Sequence, residues 1–463
     1  MARAKLKQRD GGTVDPAVID MFRQDFRGQI ILPGDVDYEQ ARQIWNASID
    51  KHPGMIARCL GTADIMRAVT FARENDLLVS VRGGGHNVAG RALCDDGLVI
   101  DLSLMKGIHV DLKQRTAWVQ AGATLGDMDR ETALYGLAVP SGVISRTGIA
   151  GLTLGGGVGW LVRKYGLSCD NLLACEVVTA EGELVTANDE SHADLFWGLR
   201  GGGGNFGIVS AFLFRAHPVS TVLGGLILYP RAEATAVLRN YRNVVNAALE
   251  ELTAYCALMS TPEGEPATGI VACYCGDPAE GEKVLAPLRN FGTPILDAIQ
   301  PMPFTAMQTM LDGAFPDRSH NYWKSAFLKE LTDDVIDILV AHGNRMASPH
   351  SSIVLEFYGG AMGRIASDAT AFAQRQAEYN IGIMSQWLDA KGGEKHMRLA
   401  RAAYDALQPF ATGRYLPNFV SEENPDQIRA AFGNNYERLA ALKAKYDPAN
   451  FFSLNQNVKP GSI

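Results

Sequence analysis

Leu77-Leu-Val-Ser-Val-Arg-Gly-Gly-Gly-His-Asn87 is the stretch on which the fold turns. Val79 and Val81 alternate with Ser80 and Arg82, the two-residue period of a strand, and Gly83, Gly84 and Gly85 then turn the chain abruptly. That places His86 and Asn87 on a loop that can approach a ligand closely. Upstream, Asp64 to Asn75 carries apolar residues at helical spacings, so a helix feeds this strand.

Working outward, Leu98–Ser103 and Thr116–Gly122 read as short strands, Leu125–Leu134 as a helix and Leu172–Ala180 as a further strand. Two more glycine clusters follow, Gly155-Gly156-Gly157-Val158-Gly159-Trp160 and Gly201 to Gly207 with Gly204, Asn205 and Gly207. Glycines of this kind let backbone N–H groups reach the oxygens of a bulky anionic cofactor; tight-turn geometry is the alternative. Neither cluster carries the lysine of a Walker loop or a secure Rossmann strand-turn-helix context. Beyond about residue 215 the pattern changes to longer alternating runs, Leu223–Tyr229, Tyr255–Met259 and Ser352–Tyr358, which predict a second sheet. Helical periods at Ala236–Val245 and Asp333–Val340 predict its cover. Ile428 to Tyr446 reads as helical until Asp447-Pro448 stops it, after which Phe451, Phe452 and Val458 can dock back onto the first part of the chain.

The 463 residues suffice for two or three packed domains, and the net charge of −8 lends no field for a nucleic-acid backbone. No aromatic-basic motif or metal-spaced cluster offsets that, so neither nucleic acid nor a metal is expected, and a small-molecule ligand is. Seven scattered cysteines read as reduced thiols, with Cys273 and Cys275 on one strand face rather than in a redox pair. The basic start, Met1 to Gly12, lacks a following apolar segment for export or insertion, so a cytoplasmic protein without a membrane partner is expected, as monomer or homodimer.

Taken together, Arg82-Gly-Gly-Gly-His-Asn87, the two later glycine clusters, Lys445-Tyr-Asp-Pro-Ala-Asn-Phe-Phe452 and Asn455-Gln-Asn-Val458 resemble the berberine-bridge-enzyme-like FAD-linked oxidases, from about residue 30 onward. The resemblance implies an α+β protein with a PCMH-type FAD-binding domain assembled from N- and C-terminal segments, and an inserted mixed α/β substrate domain containing an antiparallel sheet. The implied boundaries are an extension at 1–29, the FAD domain at 30–214 and 411–463, and the substrate domain at 215–410. Arg82, Gly83, Gly84, Gly85, Asn87, Gly148, Gly155, Gly156, Gly157, Gly159, Gly204, Asn205, Gly207, Asn455 and Asn457 are then expected around FAD. His86 matches the family's covalent attachment position, while Ile144 stands where dual-linked relatives carry a second, cysteine attachment. One histidyl linkage is therefore expected, and Cys169 is not at the matching position.

The same resemblance implies oxidation of a small organic molecule at a carbon bearing oxygen or nitrogen, or oxidative ring closure, with molecular oxygen reduced to hydrogen peroxide. Strand alternation puts Glu356 and Tyr358 on one face, with Glu356 the expected base. Tyr415 is the second acid-base choice, because Tyr415-Leu-Pro-Asn-Phe419 is one residue longer than the family's Tyr-x-Asn-Phe. Tyr322, Trp323, Phe357, Tyr358 and Trp387 read either as cavity lining or as core. Two other functions stay open at this level: a noncatalytic flavin-containing sensor, and a nicotinamide-dependent flavoprotein reductase.

Overall fold

The structure, a computed structural model, describes residues 6–461. The basic start lies partly in residues 1–5, outside the described residues.

The alternation around Val79 folds as read. Val79–Arg82 pairs in parallel with Leu98–Asp101, which pairs in parallel with Met55–Arg58, and Gln29–Ile31 closes this four-stranded sheet in antiparallel sense. A five-stranded antiparallel sheet follows in the order Ile108–Asp111, Thr116–Gln120, Ile208–Arg215, Leu172–Val178, Leu184–Asn188. The helix Thr62–Glu74 contacts strands of both sheets and buries Ile65, Ala68, Val69, Phe71 and Ala72. Its apolar residues occur at steps of three and four, which is why one helix can serve two layers.

The third sheet has eight strands, all antiparallel. Leu252–Ser260 and Ser352–Phe357 are central neighbours, with Tyr255 directly opposite Glu356. Period two divides every strand between two faces. One face, with Leu252, Cys256, Leu258, Ile353, Leu355, Ile381 and Ile383, is covered by the helices Ala234–Ala247, Asp333–Gly343 and Gly393–Leu407. The other carries Leu226, Tyr255, Val354, Glu356 and Met384 toward the glycine loops.

The C-terminal part differs from the single helix read in the sequence. Pro425–Phe432 ends at Gly433, whose φ of +51° is a left-handed conformation open to glycine, and a second helix, Tyr436–Tyr446, resumes on a new course. Asp447 then accepts N–H bonds from Phe451 and Phe452 at 2.7 and 2.9 Å and the buried Lys443 ammonium at 2.6 Å. Lys443 also donates to the carbonyls of Asn205 and Phe452, and Val458 N–H donates to Asn205 Oδ1 at 3.0 Å. The returning segment is thus bonded to the third glycine cluster.

Candidate active site

The glycine loops and the open sheet face enclose a cavity of about 970 Å³. Its floor is loop backbone. Gly84 and Gly148 abut so closely that a Cβ added at either would lie about 2.5 Å from the other's backbone, so the two loops meet only because both residues are glycine. Gly83, Gly85, His86, Asn87, Gly155, Gly204, Gly207 and Asn455 also reach the cavity wall.

Six of the residues expected around a cofactor stand behind that wall instead. Arg82 is a strut: its guanidinium pairs with buried Asp101 at 2.5 Å. Burial raises the Asp101 carboxyl, but the Arg82 charge and hydrogen bond, together with hydrogen bonds from Ser103, outweigh it and hold the group below its ordinary range. Gly156 and Gly157 turn the chain at φ of +112° and +82° against Phe372 and Ser168, and Gly159 packs on the Ser141 carbonyl. Asn205 ties the Gly202 and Gln456 carbonyls together. Asn457 keeps a buried, unpartnered Oδ1.

His86 sits on the wall with its ring stacked on Trp45, centroids 4.2 Å apart and planes 15° from parallel. Burial lowers the imidazole to about 4, so the ring is neutral near neutrality, and its Nε2 is buried without a partner. A neutral, held imidazole is the form that has a lone pair to bond carbon. Trp45 carries no motif and was not foreseen. Ile144 lines the cavity, whereas Cys169 does not, and burial pushes the Cys169 thiol well up. All seven cysteines are free thiols, and Cys275 lies just past the strand end, bonded to the Glu251 carbonyl.

On the sheet face Glu356 is 3% exposed. Tyr358 Oη donates to its Oε2 at 2.5 Å and Asn380 Nδ2 to the same atom at 2.6 Å, which leaves Oε1 as the oxygen with lone pairs to offer. Asn380 is oriented in turn by Ser325 Oγ at 2.6 Å, itself an acceptor for Leu416 N–H at 3.1 Å. Burial raises the Glu356 carboxyl to about 7, and the two donors limit the rise. Tyr255 lies across from it with a buried, unpartnered hydroxyl, stacked on Trp160 at 4.9 Å. Strand register brings that pair together, and no sequence spacing announces it.

Tyr415 is buried away from the cavity wall, and burial, followed by the charge of Glu423, drives its hydroxyl well above the ordinary tyrosine range. Arg91, four residues beyond Asn87, lines the cavity, holds Glu423 at 2.7 Å and keeps a buried, unpartnered Nη1. Of the five aromatics singled out in the sequence, Trp323 alone lines the cavity. Tyr322, Phe357 and Trp387 belong to the helix-covered face, and Tyr358 stands behind Glu356. The alternation that selects Glu356 necessarily sends Phe357 the other way.

The unpartnered polar atoms of His86, Arg91 and Asn455, set in backbone loops too close for side chains, fit a flat cofactor with an anionic tail. Comparison with known proteins agrees. Residues 53–188 match the FAD binding domain model and residues 417–459 the berberine and berberine-like model. An FAD-linked oxidoreductase of Dictyostelium discoideum is 34% identical, covering 96% of this chain and 97% of the relative. The (R)-6-hydroxynicotine oxidase of Paenarthrobacter nicotinovorans is 30% identical over 94% of this chain and 97% of its own length. The crystal structure of 6-hydroxy-D-nicotine oxidase from Arthrobacter nicotinovorans superposes with a TM-score of 0.88 at 29% identity, covering 94% of this chain and 99% of that one.

The chain belongs to the berberine-bridge-enzyme-like family of FAD-linked oxidoreductases, with the PCMH-type fold. It is an FAD-dependent enzyme of a family whose members oxidise small organic molecules by hydride transfer, with oxygen as electron acceptor. The sensor and nicotinamide-reductase readings give way to that assignment. Among the described residues no helix is long and apolar enough to cross a membrane, and no cluster of His, Cys, Asp and Glu is arranged to hold a metal.

Proposed function

We propose that His86 is the sole covalent attachment for FAD and that Glu356 is the base for oxidation of a small, largely apolar organic molecule at a carbon bearing oxygen or nitrogen. Oxidative ring closure would use the same base. The observation that carries the reading is a buried carboxyl, held by Tyr358 and Asn380 beside apolar Leu226, Val354 and Met384, that shares a cavity with a neutral imidazole.

Gly83, Gly84, Gly85, Asn87, Gly148, Gly155, Gly204, Gly207 and Asn455 would hold the cofactor, largely through backbone, with Gly156, Gly157, Gly159, Asn205, Asn457 and Arg82 shaping their loops from behind. Bound FAD supplies the hydride acceptor and returns the electrons to oxygen as hydrogen peroxide. The chain's own part is proton control and positioning. Glu356 Oε1 receives the proton from the substrate's O–H or N–H as the neighbouring carbon loses its hydride, so the product leaves uncharged. Tyr358 and Asn380 hold the carboxylate's other oxygen and stabilise its charged form before the transfer. Apolar Leu226, Val354, Met384 and Phe419 exclude water from the reacting carbon. Tyr358 thereby acts through Glu356, and Tyr415 ranks below both because its hydroxyl is off the wall and hard to ionise.

Anaerobic mixing with candidate alcohols and amines tests the activity: bleaching of the flavin, then peroxide on admitting oxygen, is the expected result. Spectral shifts without reduction for every aromatic alcohol and amine tried would overturn it. Peptide mass analysis of the denatured protein should find one flavinylated peptide, containing His86.

A further inference from the structure

The cavity wall Gly142–Ile144 is held from across the domain junction at both ends. Beyond it, Ser145 donates its N–H and hydroxyl to Asp312 at 2.8 and 2.5 Å. Before it, Gln308 Nε2 donates to Ser141 Oγ at 3.0 Å and to Asp129 Oδ2 at 2.9 Å. Gln308 belongs to the helix Phe304–Thr309 and Asp129 to the helix Leu125–Ala133, and they are 1% and 3% exposed.

Their other oxygens form an unusual pair. Asp129 Oδ1 and Gln308 Oε1 are both buried acceptors with no donor. An acceptor buried without a donor is destabilising. Among the described residues no cation is paired with Asp129. On the same helix Asp127 is bonded to Lys106, and Arg130 to Glu131. The strand Ile108–Asp111 packed against that helix brings His109 and Asp111, neither of them bonded to Asp129. The strand Leu137–Ala138 and the helix Phe304–Thr309 bring no titratable group. In the adjoining loop Arg146 is engaged with Asp317.

A single proton on one of these oxygens would make it a donor for the other. We infer that Asp129 carries a proton on Oδ1 and donates it to Gln308 Oε1, closing a two-bond acid–amide ring that latches the two helices and positions the Gly142–Ile144 wall through Ser141. Burial, opposed only by the Gln308 hydrogen bond, raises the Asp129 carboxyl from 3.8 to about 7, in keeping with that proton. Asp129 and Gln308 are positioning residues, and the latch is independent of the role given to Glu356.

Because the folded value lies above the unfolded one, the stabilisation is whole below 3.8 and is lost as the pH rises through about 7. Hydrogen–deuterium exchange of residues 141–147 in the FAD-loaded enzyme reads this directly. Asp129→Asn places a permanent N–H donor opposite Gln308 Oε1, and so serves as the reference that cannot be switched off. Relative to it, opening in the wild type should grow about tenfold per pH unit from 5 to about 7, a hundredfold in all, and then level. Parallel exchange in the two proteins at every pH would overturn the latch. Should Asp129→Asn fail to fold, Gln308→Leu carries the test. It should raise exchange of 141–147 at low pH to the wild type's high-pH level and raise KM at least threefold with kcat within twofold. Wild-type exchange and KM in that variant would equally overturn it.

Discussion

Removing the Tyr358 hydroxyl, by Tyr358→Phe, should move the pH at which the enzyme acquires its base. Burial places Glu356 at about 7 against an ordinary 4.5, a difference of about 3 kcal/mol against the charged form. That figure is net of two donors on Oε2. A hydrogen bond to a charged group contributes about 1.5–3 kcal/mol, so deleting the Tyr358 donor should raise Glu356 by about one to two pH units. The assay is anaerobic stopped-flow flavin reduction at saturating substrate. In the wild type the rate constant should rise tenfold per pH unit below about 7 and level above it; in Tyr358→Phe the same limb should level only above about 8. The plateau should be retained, because the base itself remains. Glu356→Gln should lose the limb and reduce flavin about 10²–10⁴-fold more slowly. A limb of unchanged position in Tyr358→Phe, or one that survives in Glu356→Gln, would refute the assignment of that proton to Glu356.

Three further outcomes follow from the geometry. His86→Ala should release its flavin on denaturation while keeping the fold, as read by flavin absorbance in the filtrate and by circular dichroism; a chain-bound flavin in this variant would place the linkage elsewhere. Tyr255→Phe should leave thermal stability unchanged or slightly higher, since the hydroxyl is buried without a partner, and should weaken binding only of substrates with a hydrogen-bonding group beside the oxidised carbon. Lys443→Met should lower stability by about 3–5 kcal/mol, measured by urea unfolding, because it leaves Asp447 charged and buried.

How much of this was legible beforehand depends on the distance over which each signal acts. The strand into His86, the glycine turns and the Glu356 strand are local patterns, and each forms where the period places it. Which alternating face meets the cavity is a matter of packing, so Tyr322 and Trp387 carried no mark distinguishing them from Trp323, whereas the alternation that puts Glu356 on the cavity face already sends Phe357 away from it. Gly433 sits inside a good helical period, and its positive φ is required only by how the two flanking helices dock. Trp45 and His86 are brought together by loops, Tyr255 and Glu356 by register, and Asp129 and Gln308 by a junction spanning 179 residues of sequence. None of these pairings leaves a spacing that can be read along one segment.

The return of the C-terminal segment also sets a timetable. Asn455 and Gln456 form part of the cavity wall, and Lys443, Asp447 and Val458 lock onto the third glycine cluster. During synthesis the first two sheets and then the inserted sheet can leave the ribosome and begin to pack, since domains tend to fold as they emerge. The compartment proposed for the flavin, however, is still missing a side. On that proposal, loading of the cofactor belongs after translation of residue 458, on a chain already largely folded, and a ribosome stalled within the inserted sheet should display a structured nascent protein unable to retain flavin.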